Sequence, residues 1–351
     1  MSYYCFLFLL LLLTNTFAYC ESATDQKELT EERAHLSIPL GLPPVPWPAD
    51  SPYDKKKAEL GKLLYFDKRL SANGTISCAT CHAAKVGFAD SNPIAIGIDG
   101  HIGTRHSPTV INAAYQKSYF WDGRAKTLEE QAKGPLTNSK EMAGTDDVHA
   151  ALVACQERIQ KIPGYVRLFK EIFNDDVVTI DNLARAIATF ERTILSGNAP
   201  YDRYMAGDKG AMTTQQVKGL ALFNKLSCNN CHAGPNFTDG RFLNIGVGME
   251  KANPDLGRYN ITKDEKDWGA FKIPTLREVA HTAPYMHDGC FFTLREVIDY
   301  YDRGGNPNRN LHPLMKPLHM TEEDKQALLS FLEALNGEGW KQFTEPTRFP
   351  N

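Results

Sequence analysis

Apolar residues recur every three or four positions along much of the chain, and this spacing places them on one face of an α-helix. Residues 180–194 show the pattern as a single stripe. The stretches predicted to contain helices are residues 55–70, 128–142, 146–173, 180–194, 213–227, 293–303 and 321–336. No long alternation of apolar and polar residues, typical of a strand, appears, so the sequence predicts a mainly α fold.

Three of these helices begin with a capping box, in which a Thr and a polar residue three positions later bond each other's backbone N–H groups. The pairs are Thr213 with Gln216, Thr293 with Glu296, and Thr321 with Asp324. The pattern over residues 146–173 is interrupted at Pro163, which is expected to divide it.

Two other stretches are predicted to be irregular. Residues 38–52 are rich in proline, which lacks a backbone N–H, and they predict an extended strap laid over the folded body. Residues 19–37 before them predict a mobile leader. A glycine-rich run up to Gly103 predicts a loop. The strap carries four apolar side chains that would prefer burial: Ile38, Leu40, Leu42 and Trp47.

Length and charge set broad limits on function. A chain of 351 residues can form two domains of ordinary size, and a net charge of −3 gives no general attraction to nucleic acid or to anionic membranes. Four of the eight cysteines lie in two repeated motifs, and Cys5 lies in the N-terminal stretch that is predicted below to be removed as a signal peptide. The remaining Cys20, Cys155 and Cys290 do not describe a disulfide scaffold, and Cys155 is expected to be a small buried residue of a helix.

The repeated motif is C-x-x-C-H, the attachment sequence of c-type haem. It occurs at residues 78–82 and again at residues 228–232. Two thiols three positions apart can each bond a vinyl group of one haem, and the following imidazole can ligate the iron. A zinc site would require further Cys or His close to each pair, which neither copy has. The sequence therefore predicts two covalently attached haems, held by Cys78, Cys81 and His82 and by Cys228, Cys231 and His232.

The N-terminus predicts export. An apolar run over residues 6–13 is too short to span a bilayer, and it is followed by small residues at a cleavage site ending at Ala18. Residues 1–18 are therefore predicted to be a signal peptide and the periplasm the location. Lipid attachment at Cys20 is disfavoured because Tyr19 is larger than the residue expected before a lipidated Cys.

Several motifs together resemble those of the bacterial di-haem cytochrome c peroxidases and their MauG-like relatives, over about residues 38–340. The resemblance implies two cytochrome c-like domains packed across an interface, here residues 38–175 and 176–345. It also implies that hydrogen peroxide reacts at the first haem and that the second passes electrons. The motifs are the two haem pentads, residues 120–125 (FWDGRA), 128–132 (LEEQA), Glu141-Met142 and residues 283–289 (APYMHDG).

The resemblance implies roles for three residues of the first half. Glu141 is similar to the distal acid–base residue, Gln131 to an amide of the distal pocket, and Trp121 to the indole between the haems. Breaking the O–O bond needs a group that takes a proton from one oxygen and returns it to the other, which a carboxylate in a dry pocket can do. From the residues alone, Glu141 could also be a solvated helix-end charge and Trp121 a core aromatic.

Two positions depart from the pattern of many family members. In those family members a His of the glycine-rich loop ligates the first iron in the resting enzyme. A gap-free count places Ile98 at the position of this His, and isoleucine cannot ligate iron. His101 could substitute if the loop shifts, and without it the first iron is open to peroxide. Many members have a Met as the sixth ligand of the second haem, and the count places Tyr301 at that position. A Tyr ligand is the pattern of the MauG-like branch. Met286 is the rival ligand.

The helical pattern supports Tyr301 independently, because Leu294, Val297, Ile298 and Tyr301 share one face whereas Tyr300 is turned about 100° away. An ordinary buried Tyr with a bonded hydroxyl is the alternative.

Family members also hold a calcium ion through backbone carbonyls at the positions of Thr282 and Pro284. Here His106 replaces an Asn ligand, and imidazole is a poor ligand for calcium.

Three functions remain open. The first is reduction of hydrogen peroxide with electrons from a small c-type cytochrome or a cupredoxin. The second is a MauG-like oxidation of a side chain on a partner protein, which Tyr301 and Ile98 favour. The third, electron transfer alone, fits poorly with Gln131 and Glu141. The resemblance also allows a homodimer.

Overall fold

The computed structural model describes residues 36–351, and helices are the main secondary structure of this part of the chain. Two short strands, β1 (Phe242–Leu243) and β2 (Phe271–Lys272), pair antiparallel, and a π-helical turn covers Ser139–Ala143. The helices are α1 (Lys55–Phe66), α2 (Cys78–Cys81), α3 (Leu128–Thr137), α4 (Val148–Gln160), α5 (Pro163–Phe173), α6 (Ile180–Thr193), α7 (Pro200–Met205), α8 (Thr214–Lys225), α9 (Tyr259–Thr262), α10 (Leu294–Asp302) and α11 (Glu322–Glu333). The predicted mainly α fold is confirmed.

The predicted helix starts are confirmed as well. All three capping boxes are formed, at the beginnings of α8, α10 and α11. Pro163 is the first residue of α5 and separates it from α4, because proline is accepted in the first turn of a helix. Cys155 is fully buried on α4, as predicted.

Two pairs of helices cross in the same way in the two halves of the chain. In the first pair, α1 packs on α6, and a Cβ atom at Gly61 would lie 1.9 Å from the carbonyl oxygen of Ala186. In the second, α8 packs on α11, and a Cβ at Gly219 would lie 2.0 Å from the carbonyl oxygen of Ala327. Each crossing therefore requires glycine. In each half of the chain the C-x-x-C-H motif follows the first helix of such a pair.

The helix α6 packs with the first half of the chain. A division at residue 175 would assign α6 to the second half, but its apolar face belongs to the first hydrophobic core together with α1. The second core is formed mainly by residues of α8, α10 and α11. The first core therefore includes apolar residues as far along the chain as Ile194, beyond residue 175, and the division into two domains stays a prediction. Trp340 also returns to the first core from the C-terminal end of the chain.

Two stretches of the chain repeat each other. Residues 106–112 and 119–123 (HSPTVIN, YFWDG) match residues 272–278 and 285–289 (KIPTLRE, YMHDG) at the same spacing. The backbone repeats too, since Phe120 and Met286 both have positive φ angles, 64° and 74°. Trp121 and His287 therefore occupy equivalent positions.

These repeats meet where residues 104–125 contact residues 255–289, a region that we call the seam. The backbone N–H of His106 donates to the carbonyl of His287 at 2.8 Å, and the N–H of Lys272 donates to the carbonyl of Trp121 at 2.8 Å. His106 corresponds to Lys272 and His287 to Trp121, so the two bonds are related by an approximate two-fold axis.

The proline-rich stretch forms the predicted strap. Its carbonyls accept hydrogen bonds from the body, for example at Leu40 from the N–H of Asn198 at 2.7 Å. Ile38, Leu42 and Trp47 pack on a small apolar cluster, but the side chain of Leu40 is 47% exposed, so its expected burial is wrong. The predicted signal peptide, Cys20 and nearly all of the leader lie outside the described residues. Within residues 36–351, none of the helices has the length and apolar character needed to cross a membrane.

Candidate functional site

The first C-x-x-C-H motif forms a short helical turn that presents His82 in a fixed orientation. Its ring Nδ1 donates to the carbonyl of Pro108 at 2.9 Å, and its own carbonyl accepts from the hydroxyl of Tyr65 at 2.9 Å. Burial lowers the pKa of His82, which favours the neutral ring. The other ring nitrogen is left to ligate a metal, the usual arrangement for a ligating His.

The second motif repeats this arrangement. The ring Nδ1 of His232 donates to the carbonyl of Phe237 at 3.0 Å, and burial lowers the pKa of His232 as well. His232 lines a large cavity together with both cysteines of its motif, Cys228 and Cys231. The rest of the lining is mainly apolar, as suits a porphyrin.

Tyr301 reaches this cavity from α10, in line with the predicted helix face. Leu294, Val297 and Ile298 line the same cavity, whereas Tyr300 is buried elsewhere and donates its hydroxyl to the carbonyl of Ile245 at 2.9 Å. Tyr301 is half-buried at the wall of the cavity. Burial raises the pKa of Tyr301 well above its ordinary value.

Ligation by Tyr301 stays a prediction, and so does the alternative of an ordinary Tyr of the core. Met286 lines the cavity too, so the structure brings both candidate ligands to the second motif.

Glu141 lies beside the first motif, in the π-helical turn. Its carboxylate accepts from the side-chain amide of Asn138 at 2.9 Å. Burial raises the pKa of Glu141, and the guanidinium of Arg124 partly offsets that effect. Burial, and then the charges of Asp90 and Glu141, raise the pKa of the Cys81 thiol to about 12. Glu141 is therefore a half-buried carboxyl group close to Cys81 of the first C-x-x-C-H motif rather than a solvated helix-end charge.

Gln131 lies on α3, whose C-terminal end leads directly to the turn that holds Glu141. Its side chain is half-buried. The structure thus brings Gln131 and Glu141 to neighbouring elements of the first half.

The glycine-rich loop packs against the same turn. A Cβ atom at Gly97 would lie 1.9 Å from the carbonyl oxygen of Lys140, so the two backbones touch. Ile98 is 2% exposed and its side chain lies near Gly144, at the end of the turn. His101 is exposed, and its ring Nδ1 pairs with the carbonyl of Ile98 at 2.9 Å. The loop therefore buries the residue that cannot ligate iron and leaves the His at the surface.

Trp121 lies at the seam and lines the cavity of the second motif. Its indole N–H donates to the carbonyl of His106 at 2.8 Å. The imidazole of His287 lies on the other side, stacked on the ring of Phe271 at 3.6 Å between centroids. Burial lowers the pKa of His287 to about 4, with the nearby carboxylates of Asp288 and Asp255 acting in the opposite direction, so this ring is neutral at pH 7.

Charged side chains also form hydrogen bonds across the seam. Arg105 donates to Asp122 at 2.6 Å and, with two of its nitrogens, to Asp255 at 2.6 and 3.0 Å. Lys272 is buried, and its ammonium group donates to the carbonyl of Ser118 at 2.7 Å. Burial lowers the pKa of Lys272 to about 7, and Asp122 partly offsets this.

The predicted calcium positions lie at the wall of the same cavity as Trp121 and Lys272. Thr282, Pro284 and His106 all line the cavity of the second motif. The ring Nδ1 of His106 pairs with the carbonyl of Asn92 at 3.1 Å, so that nitrogen is engaged by the protein. In the described part of the chain no three His, Cys, Asp or Glu side chains are grouped to hold a metal ion. A calcium site stays a prediction.

Lys272 and His287 were missed as site residues when the sequence was considered alone. The signal that could have revealed them is the internal repeat, which pairs His106 with Lys272 and Trp121 with His287. The residue equivalent to Trp121 in the second repeat, His287, is therefore a natural candidate for a site residue on the other side of the seam.

A C-x-x-C-H motif whose His donates its ring Nδ1–H to a backbone carbonyl occurs twice in this helical fold, which is typical of the c-type cytochrome class. Residues 55–210 match the family model described as di-haem cytochrome c peroxidase. The chain is 38% identical over 326 residues to the cytochrome-c peroxidase IdrP1 of Pseudomonas sp. (strain SCT), with 84% of each protein covered. It is 38% identical over 318 residues to the methylamine utilization protein MauG of Methylorubrum extorquens, covering 90% of this chain and 87% of that protein.

A solved structure of a MauG-like protein associated with microbial copper homeostasis is also similar. It superposes with a TM-score of 0.82 at 30% identity and covers 90% of this chain and 99% of its own. The chain belongs to the di-haem cytochrome c peroxidase family. It is an oxidoreductase of the haem peroxidase class, and its cofactors are two c-type haems.

Proposed function

We propose that this protein reduces hydrogen peroxide to water beside the first motif and accepts electrons beside the second. The two halves would act as two cytochrome c-like domains with one haem each, held by Cys78, Cys81 and His82 and by Cys228, Cys231 and His232. The bound irons supply the redox chemistry, in which one peroxide, two electrons and two protons give two molecules of water. The observation that carries the proposal is the half-buried carboxyl group of Glu141 next to Cys81.

Glu141 would move the proton. Its carboxylate takes a proton from the inner oxygen of peroxide and returns it to the leaving hydroxide. The amide of Asn138 orients the carboxylate, and Arg124 keeps its pKa from rising further. Gln131 would help to bind peroxide from α3. Burial of Ile98 and exposure of His101 support a first site that is open to peroxide at rest.

Tyr301 would be the sixth ligand of the second haem. Its place in the wall of the cavity that His232, Cys228 and Cys231 also line supports this role. Trp121 would carry electrons across the seam. The electron donor would be a small c-type cytochrome or a cupredoxin in the periplasm, and the protein could act as a homodimer.

Steady-state turnover tests the function. Reduced c-type cytochrome or cupredoxin is mixed with the holoprotein and peroxide, and its oxidation is followed by absorbance. Sustained turnover is expected with at least one donor. A single slow oxidation of the protein without turnover would contradict a peroxidase.

That outcome would instead support the second candidate, a MauG-like oxidation of a side chain on a partner protein. Tyr301 facing the second motif favours this candidate, because a phenolate stabilises the more oxidised states of iron. The test is whether the oxidised form persists for minutes when no donor is present.

A further inference from the structure

Lys272 is attached twice to the residues that lead to Trp121. Its backbone N–H donates to the carbonyl of Trp121 at 2.8 Å, and its ammonium group donates to the carbonyl of Ser118 at 2.7 Å. The same ammonium group also donates to the side-chain oxygen of Gln116. One lysine of the second half therefore holds residues 116–121, which we call the indole segment, at both ends.

Burial makes this attachment energetically important. Lys272 is 8% exposed, and a buried ammonium group is costly unless its N–H groups are hydrogen-bonded. Both acceptors that the structure gives it belong to the indole segment. The hydrogen bonds to the indole segment therefore offset the cost of burying the charge while the segment is docked on the second half. If the segment moved away, these bonds would be lost and the cost would no longer be offset.

The backbone of the indole segment needs such support. Phe120, directly before Trp121, has a φ angle of 64°, a conformation that bulky residues rarely adopt and that persists where neighbouring contacts enforce it. Arg258 supplies contacts on the other side, donating to the carbonyls of Asp122 and Gly123 at 2.8 and 2.9 Å. Residues of the second half thus fix the chain both before and after the indole.

We propose that Lys272 is a positioning residue, whose ammonium group fixes the indole of Trp121 between the two haem sites and so sets the rate at which electrons cross the seam. The inference rests on the proposed role of Trp121 in that transfer. Lys272 lies outside the motifs shared with the family, and its equivalent in the internal repeat is His106.

The test compares two buried lysines. Lys272→Met keeps most of the apolar part of the side chain and removes the ammonium group with its N–H donors. Lys57→Met is the matched control, because Lys57 is 7% exposed and its ammonium group donates to Ser51 and to the carbonyl of Pro52, both at 2.9 Å, far from the seam in sequence. Gln116→Ala removes one acceptor and is the milder variant should Lys272→Met fold poorly.

Two quantities are measured in each holoprotein. Stopped-flow absorbance after peroxide is added to the half-reduced protein separates the first reaction from the later oxidation of the second centre. Hydrogen exchange followed by mass spectrometry reports the opening of residues 116–125. We expect Lys272→Met to slow the second step by roughly ten- to a hundredfold, as misplacement by about 1 Å can do, to leave the first step unchanged, and to speed exchange of this segment.

The control should leave both the second step and the exchange of residues 116–125 unchanged, and Gln116→Ala should give a smaller change in the same direction as Lys272→Met. A wild-type second step in Lys272→Met, or equal slowing in Lys57→Met, would overturn the proposal. Trp121→Phe separates the two levels of inference. If it leaves the second step unchanged, the role of Trp121 fails; if it slows that step while Lys272→Met does not, the role of Lys272 alone fails.

Discussion

The indole of Trp121 and the imidazole of His287 meet edge to face across the seam, with their ring centroids 6.5 Å apart and their planes inclined by 72°. The two residues hold equivalent places in the internal repeat. Each also shares a hydrogen bond with the other half of the chain through its carbonyl group. The seam is therefore built around two aromatic rings whose positions are fixed from both sides.

Replacing Trp121 by Phe should slow electron transfer between the two haem sites and leave the first reaction with peroxide intact. The substitution removes the indole and its hydrogen bond to the carbonyl of His106, which is left unpaired at a cost of about 1–3 kcal/mol. Stopped-flow absorbance separates the two steps. Trp340→Phe is the control, since Trp340 is also buried but its indole N–H has no partner among the described residues. Similar slowing in both variants would argue against a specific role.

Replacing Glu141 by Gln should slow the reaction with peroxide by roughly 10²–10⁴-fold, because the amide cannot take up the proton. The rate of the first spectral change as a function of peroxide concentration measures this. Glu130→Gln changes a charge on the adjacent helix α3 and should react at the wild-type rate. A near-wild-type rate in Glu141→Gln would remove the acid–base role.

The same carboxyl group predicts a pH dependence. In the proposed mechanism the reaction needs the carboxylate, so its rate should fall as the pH drops through the pKa of Glu141, which burial raises above the ordinary glutamate value. Arg124 lowers that pKa, and Arg124→Met should therefore move the fall to higher pH. Rates of the peroxide reaction between pH 4 and 8 test the direction; a shift to lower pH would contradict the assignment.

Replacing Tyr301 by Phe should change the absorption spectrum of the low-spin haem, because the proposed ligand is lost. Tyr300 provides a matched control on the same helix. Tyr300→Phe removes a buried hydroxyl that bonds the carbonyl of Ile245, so it should lower stability by about 1 kcal/mol and leave the spectrum unchanged. An unaltered spectrum in Tyr301→Phe would leave Met286 as the candidate ligand.

The helices could be predicted from the sequence because each depends on local information. The apolar stripe of α6 and the capping box of α10 lie within one short stretch of chain, and so does the face that presents Tyr301. The assignment of α6 to a domain could not be predicted in this way. It depends on Gly61, which lets α1 approach Ala186 more than a hundred residues away.

The site shows the same contrast. The haem motifs combine all of their chemistry in five consecutive residues, so Cys78 and His82 were evident. Lys272 was not, because its burial arises from contacts with Gln116 and Ser118 that form when the two halves dock. In isolation a lysine in a short strand is most often a solvated charge.

A buried carboxyl group in the first core gives the last prediction, which concerns stability. Glu191 is 5% exposed, one of its carboxylate oxygens has no partner among the described residues, and burial raises its pKa to about 8. In the unfolded chain a glutamate titrates near its ordinary value of about 4.3. Between these values the folded protein retains a proton that the unfolded chain has lost, so the free energy of unfolding must fall as the pH rises, by at most about 1.4 kcal/mol per pH unit.

Glu191→Gln removes this titration. Relative to the wild type, its free energy of unfolding should rise steadily between pH 5 and pH 8 and then level off above the pKa of about 8. Glu129→Gln should behave in the opposite way. Burial acts to raise the pKa of Glu129, but the paired guanidinium of Arg192 brings it below the ordinary value, so this variant should be destabilised at pH 7 and recover as the pH drops through that lowered pKa. Denaturant unfolding of both variants and the wild type at several pH values measures how the difference in the free energy of unfolding changes with pH. If this change had the same sign for Glu191→Gln as for Glu129→Gln, Glu191 would be ionised in the folded protein.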